Sequence, residues 1–153
     1  VFPYISQAQL VPDHTTMAIW RKGLQGQIAL GAYKPYEDLL VLDGIPRNVE
    51  QAELLENDVR VVRVVQLYCS DEEKMIHRIK RRAIRENRVD DANEGVIRHR
   101  FTVYHEQSAA VLNYYPPETI FKIDAINSPA EVLKSVLEVL IPVQNEHFRT
   151  ATR

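Results

Sequence analysis

The chain has 153 residues, 45% of them hydrophobic and 26% charged, with the two signs nearly balanced at a formal net charge of −2. That apolar content suffices for one globular domain with its own core, and the overall charge points to neither nucleic acid nor an anionic membrane as partner. No apolar run approaches the roughly 20 residues of a bilayer-spanning helix, and the single Cys69 excludes an internal disulfide or a cysteine-built zinc site, so a reducing, cytoplasmic setting is expected.

In chain order, Asp13 is placed to cap a helix over about 13–29. The runs Leu39-Leu40-Val41-Leu42 and 61–67 are short and mostly not alternating, the pattern of strands buried on both faces of a parallel sheet. Ser70, followed by Asp71-Glu72-Glu73, starts a helix reaching about Glu86, and 91–113 reads as a further long helix closed by Pro116-Pro117. Thr119-Ile120-Phe121-Lys122-Ile123 is a weaker strand candidate, and Ser128-Pro129 opens a helix ending near Leu140. The tail 141–153 carries little pattern and is expected to be a loose end. Strands alternating with helices predict a three-layer α/β fold, a parallel sheet flanked by helices, with ligands bound where strands run into the helices that follow.

The most informative stretch is Leu42-Asp43-Gly44-Ile45-Pro46-Arg47, with Gln51 four residues after the arginine. A buried strand ends in an acid, turns through Gly and Pro, and enters a helix that carries Arg47 and Gln51 on one face. A nucleotide suits that face: the guanidinium fork grips a phosphate, and the Gln amide offers one donor and one acceptor to the edge of a base. Asp43 suits the water shell of a Mg²⁺ ion, which prefers carboxylate oxygen and keeps several waters. Each feature alone is also an ordinary turn or a solvated helix face.

A second stretch is basic. From Lys74 to Arg100 lie nine of the nineteen Lys and Arg. Arg78, Arg82 and Arg85 share a helix face, and Arg100 on the next helix is placed to meet Arg88 across the turn. Such a set can surround several phosphates, which phosphoryl transfer requires because its transition state spreads charge over the phosphoryl oxygens. A solvated helix laced with pairs to Glu86, Asp90, Asp91 and Glu94, or a nucleic-acid patch, reads the same residues differently.

Together these stretches resemble the adenylate kinase family: Asp43-Gly44-Ile45-Pro46-Arg47 with Gln51, Arg88-Val89-Asp90-Asp91, Arg98-His99-Arg100 and Tyr114-Tyr115-Pro116, within a similarity from about Gln9 to Leu140. The resemblance implies a P-loop nucleoside monophosphate kinase fold, one core over 1–153 with a short lid at 83–87, running ATP + AMP = 2 ADP with Mg²⁺ as a cytoplasmic monomer that needs no nucleic acid or membrane. It implies that Gln9, Leu10, Val11, Gly44, Ile45, Pro46, Arg47, Gln51, Arg88 and Arg100 hold AMP and that Arg78, Arg82 and Asn127 face ATP. In that reading Arg47, Arg82, Arg88 and Arg100 are catalytic, and Asp43 holds Mg²⁺ through water. Lys80 and Arg81 are left without a role.

There are departures. The chain contains no G-x-x-x-x-G-K, so the resemblance implies that the first strand and its phosphate loop lie upstream of Val1, that the fold is incomplete at its N-terminus, and that this stretch alone is inactive. Ile45 stands where an aromatic is usual. Ala92 looks like a one-residue insertion, which leaves Arg98 as an alternative to Arg100. Gln51 favours AMP over the acceptors of the related uridylate/cytidylate kinases, which remain an alternative, as does a truncated fragment that binds nucleotide or a partner without turnover.

Overall fold

The computed structural model describes residues 12–87 and 92–151. Backbone contacts divide the chain after Arg60 and after Val143 into two compact units, which by chain order alone are the inner unit, Val61–Val143, and the outer unit, the segments before and after it.

In the outer unit, helix α1 (Asp13–Ala29) packs on helix α2 (Val49–Leu55). Met17 of α1 and Ala52 and Leu55 of α2 are fully buried, so the small Ala52 allows close approach between two larger side chains. Arg21 seals the edge of this contact, pairing with Asp58 at 2.7 Å and donating to the carbonyl of Leu54 at 3.1 Å. Asp13 is the first helical residue of α1 rather than its cap. Pro12 occupies the cap without a side-chain bond, and Asp13 turns its carboxylate to α2. The run 39–42 forms no strand ladder among the described residues. A strand exists only through hydrogen bonds to a neighbour, and its apolar composition alone supplies none.

In the inner unit, β1 (Val64–Tyr68) and β2 (Ile120–Asp124) pair in parallel, with Val64 opposite Ile120 and Tyr68 opposite Asp124. The parallel pairing and the helical crossover between the strands bear out the α/β class. Helix α3 (Glu72–Arg85) starts one residue later than expected because Asp71 is its cap, its carboxylate accepting from the Lys74 amide at 3.0 Å; Ser70 bonds elsewhere. Asn87 ends the helix in a left-handed conformation at φ 56°, which its short polar side chain tolerates. Helix α4 (Glu94–Val103), a π turn (Tyr104–Ser108) and helix α5 (Ala109–Tyr114) form the expected long helical stretch, widened at the π turn where the Ala109 amide reaches the Tyr104 carbonyl. Ile76 and Ala83 of α3, Ile97 of α4, Val111 of α5, Tyr115 just after α5, and Ile123 of β2 form the core.

Helix α6 (Pro129–Ala151) opens as read from Ser128-Pro129: Ser128 and Glu131 bond each other reciprocally, and proline takes the first turn, where no amide is needed. It does not end near Leu140. The tail is helical through Ala151 with Pro142 inside, which corrects the expected loose end. Among the described residues, no helix is long and apolar enough to cross a membrane, and Cys69 is a free thiol.

Candidate functional site

In the outer unit, the turn before α2 is built around Arg47. Gly44 holds φ 78°, where a side chain would be strained, and a Cβ there would sit 3.4 Å from an Arg47 terminal nitrogen. The Ile45–Pro46 peptide is cis. Arg47 folds back so that its Nε donates to the Gly44 carbonyl at 2.9 Å. This leaves the two terminal nitrogens, the pair with which a guanidinium can grip a phosphate, in no ion pair or hydrogen bond among the described residues.

Gln51 stands behind that arginine. It is 5% exposed, and both ends of its amide are engaged: its oxygen accepts from the Arg47 amide at 2.8 Å, and its nitrogen donates to Asp13 at 2.5 Å. Asn48 caps α2 by accepting from the Gln51 backbone amide at 2.8 Å, and its side-chain nitrogen donates to the other Asp13 oxygen at 2.8 Å. Arg47 and Gln51 are therefore brought together as the spacing predicts, but Gln51 reaches a base only with its second N–H or second lone pair. Asp13 and Asn48, which reading by spacing missed, orient it. Their signal was faint, since Asn48 resembles any helix cap and Asp13 lies 38 residues from its partner. Asp43 is exposed at the start of the turn, with no side-chain bond among the described residues.

In the inner unit, the half-buried Arg78 of α3 donates from one terminal nitrogen to the carbonyls of Ala125 (3.0 Å) and Asn127 (2.9 Å). The structure thus joins two residues that the sequence placed 49 apart on the ATP side. Asp124 ends β2 with its carboxylate accepting from the Ser70 hydroxyl and amide and from the Ile126 amide at 3.1 Å. The Ser70 hydroxyl is the main cause that holds this carboxyl below its usual range, helped by the two amides and the charge of Lys74.

The basic stretch is partly self-neutralised. Arg98 joins Glu73 of α3 at 2.8 Å and Glu94 of its own helix at 2.9 Å, and Lys80 joins Glu94 at 3.0 Å. The hydrogen bond from Lys80, then that from Arg98, holds Glu94 below the usual carboxylate range. Lys80, left without a role by its sequence, is an α3–α4 tie. Arg82 lies 3.6 Å from Glu86, a loose pair one turn on, and Arg100 is exposed on α4. Gln9, Leu10, Val11 and Arg88 lie outside the described residues.

Residues 1–120 match the family described as adenylate kinase. The chain is 37% identical over 143 residues to an adenylate kinase of Thermobifida fusca, an alignment covering 90% of this chain and 71% of that protein. It is 34% identical over 147 residues to one from Pseudarthrobacter chlorophenolicus, covering 92% and 72%, and 32% identical over 146 residues to one from Thermus thermophilus, covering 92% and 71%. A family match over most of the sequence, with relatives above 30% identity along almost its full length, is more than the short motifs could carry alone, and by it this chain belongs to the adenylate kinase family.

Proposed function

We propose that the outer unit binds AMP through Gly44, Ile45, Pro46, Arg47 and Gln51, and that the inner unit serves ATP through Arg78, Arg82 and Asn127, for the reaction ATP + AMP = 2 ADP. The observation that carries this reading is Arg47, held at Nε by the Gly44 carbonyl with its phosphate-gripping end left open. A pre-set fork loses less freedom when a phosphate arrives, and in transfer it offers fixed positive charge where the phosphoryl oxygens gain it. Gln51, its side chain braced by Asp13 and the Arg47 backbone amide, offers one donor and one acceptor to adenine without having to find its rotamer first.

Gln9, Leu10 and Val11 complete the AMP side by resemblance, and Arg82, Arg88 and Arg100 act on the transferred phosphoryl group. Arg100 is the choice by resemblance, with Arg98, which holds Glu73 and Glu94, as the alternative. Asp43 suits Mg²⁺ through water: it is an exposed carboxylate, and that ion is commonly held by one or two carboxylates with waters and substrate phosphates. Bound there, the ion would neutralise phosphate charge. The short lid at 83–87 would exclude water during transfer. A cytoplasmic monomer with no nucleic-acid or membrane partner completes the reading.

Calorimetric titration tests the acceptor choice. AMP should bind this chain at least about tenfold tighter than UMP or CMP, the scale of one well-placed hydrogen bond. Gln51→Ala should narrow that gap. Equal binding of UMP contradicts the assignment.

A further inference from the structure

The loop that leaves β2 and opens into α6 carries the Asn127 carbonyl, and it is held from two flanks. On one flank, Asp124 accepts from the Ser70 amide and hydroxyl and from the Ile126 amide, while the Ala125 amide donates to the Tyr68 carbonyl at 2.8 Å. On the other, the Arg78 guanidinium donates to the carbonyls of Ala125 and Asn127. Asn127 adds an internal bond from its side-chain nitrogen to the Asp124 carbonyl at 3.3 Å. A loop of this length that merely connected a strand to a helix would not need a charged side chain aimed at two of its carbonyls. Charge-assisted bonds are roughly twice as strong as neutral ones, and two from one rigid head fix a direction as well as a distance.

A carbonyl oxygen has two acceptor positions, and Arg78 takes one of those on Asn127. The other can accept the exocyclic amino group of adenine, and it opposes a 6-oxo purine, whose oxygen is a second acceptor. We infer that Arg78 is a positioning residue for nucleotide choice: by clamping the carbonyls of Ala125 and Asn127 against the flank built by Ser70 and Asp124, it aims the Asn127 oxygen at the donor edge of an adenine ring. This rests on the proposed contact of Asn127 with ATP. It assigns Arg78 a task different from gripping phosphate, although both tasks use the same side chain.

The test compares ATP with GTP on the chain and its Arg78→Ala, Arg78→Lys and Ser70→Ala variants, by calorimetry and by hydrogen exchange at the Ile126 amide, which the Asp124 carboxylate holds. The unmodified chain should prefer ATP by about tenfold or more. Arg78→Ala should bring the two within about threefold by weakening ATP while GTP changes little, and should speed exchange at Ile126. Arg78→Lys should fall between, because an ammonium reaches one carbonyl as a point charge. Ser70→Ala should repeat the effect more weakly from the other flank. An equal loss of ATP and GTP in Arg78→Ala, with Ile126 exchange unchanged, overturns the inference and makes Arg78 a phosphate ligand. Equal binding of ATP and GTP by the unmodified chain, with Ile126 exchange still faster in Arg78→Ala, removes the base contact assigned to Asn127 and leaves the clamp standing.

Discussion

The turn around Arg47 and the helix pair α3–α4 both carry arginines suited to phosphate, yet they are held by different physics. Around Arg47 the partners are a carbonyl, an amide and a buried Gln51 whose two ends are bonded. Between α3 and α4 they are exposed carboxylates, Glu73 and Glu94, shared by Lys80 and Arg98. A buried hydrogen-bonded group cannot exchange its partner for water without a desolvation cost, whereas an exposed ion pair can. The first region should therefore be sensitive to the identity of each atom, and the second mainly to total charge.

The largest difference should appear in catalysis. With the phosphate loop supplied ahead of this chain, Arg47→Lys keeps the charge but loses the planar fork and the Nε bond to Gly44, so ADP formation should fall on the order of 10²-fold or more. Near-normal turnover would show that Arg47 acts only as a charge, like the residues of the second region.

Asp13→Ala comes next. It leaves an N–H of the buried Gln51 and an amide of Asn48 without their acceptor, and a loss of about 1–3 kcal/mol in denaturant unfolding is expected. AMP binding should weaken with it although Asp13 is proposed to touch no ligand. A variant that unfolds and binds as the unmodified chain does would remove Asp13 from the site.

Lys80→Ala and Arg98→Ala should each lower the melting midpoint by less than Asp13→Ala, and 0.5 M salt should erase most of the difference, because exposed charges are screened beyond a few ångströms at that strength. Arg81→Ala, whose side chain has no partner among the described residues, should change less still. A salt-insensitive loss in Arg98→Ala would mean that the guanidinium packs rather than pairs.

Acid titration should show the smallest effect. Glu94 is held below its unfolded carboxylate value near 4.3, so the ionised form favours the fold; that contribution is complete above about pH 5 and fades as the pH falls through the lower folded value. Glu94→Gln should flatten this part of the acid limb of melting midpoint against pH. An unaltered acid limb would leave Glu94 without a stabilising pairing.

Much was legible along the chain because it depends on near neighbours. The α/β class, the start of α6 at Ser128-Pro129 and the Arg47–Gln51 face each follow from residues within one or two turns of each other. Helix starts were displaced where a capping side chain had a competing distant partner: Asp13 bonds α2, and Ser70 bonds Asp124 across 54 residues, so Asp71 caps in its place. The run 39–42 was misjudged for the converse reason, since its apolar residues state a preference and only a paired neighbour makes a strand.

What the sequence determined by itself is the set of chemical groups: an acid, glycine and arginine before a helix, a glutamine one turn on, and a run of cations. Tertiary structure decided which of them are committed. Packing α1 on α2 turned Asp13 into the brace of Gln51, and pairing β1 with β2 brought the Asn127 carbonyl to Arg78. The physical reason is that a hydrogen bond needs its two atoms within about 3 Å, and for residues 38 to 54 apart in the chain only the packed fold supplies that distance.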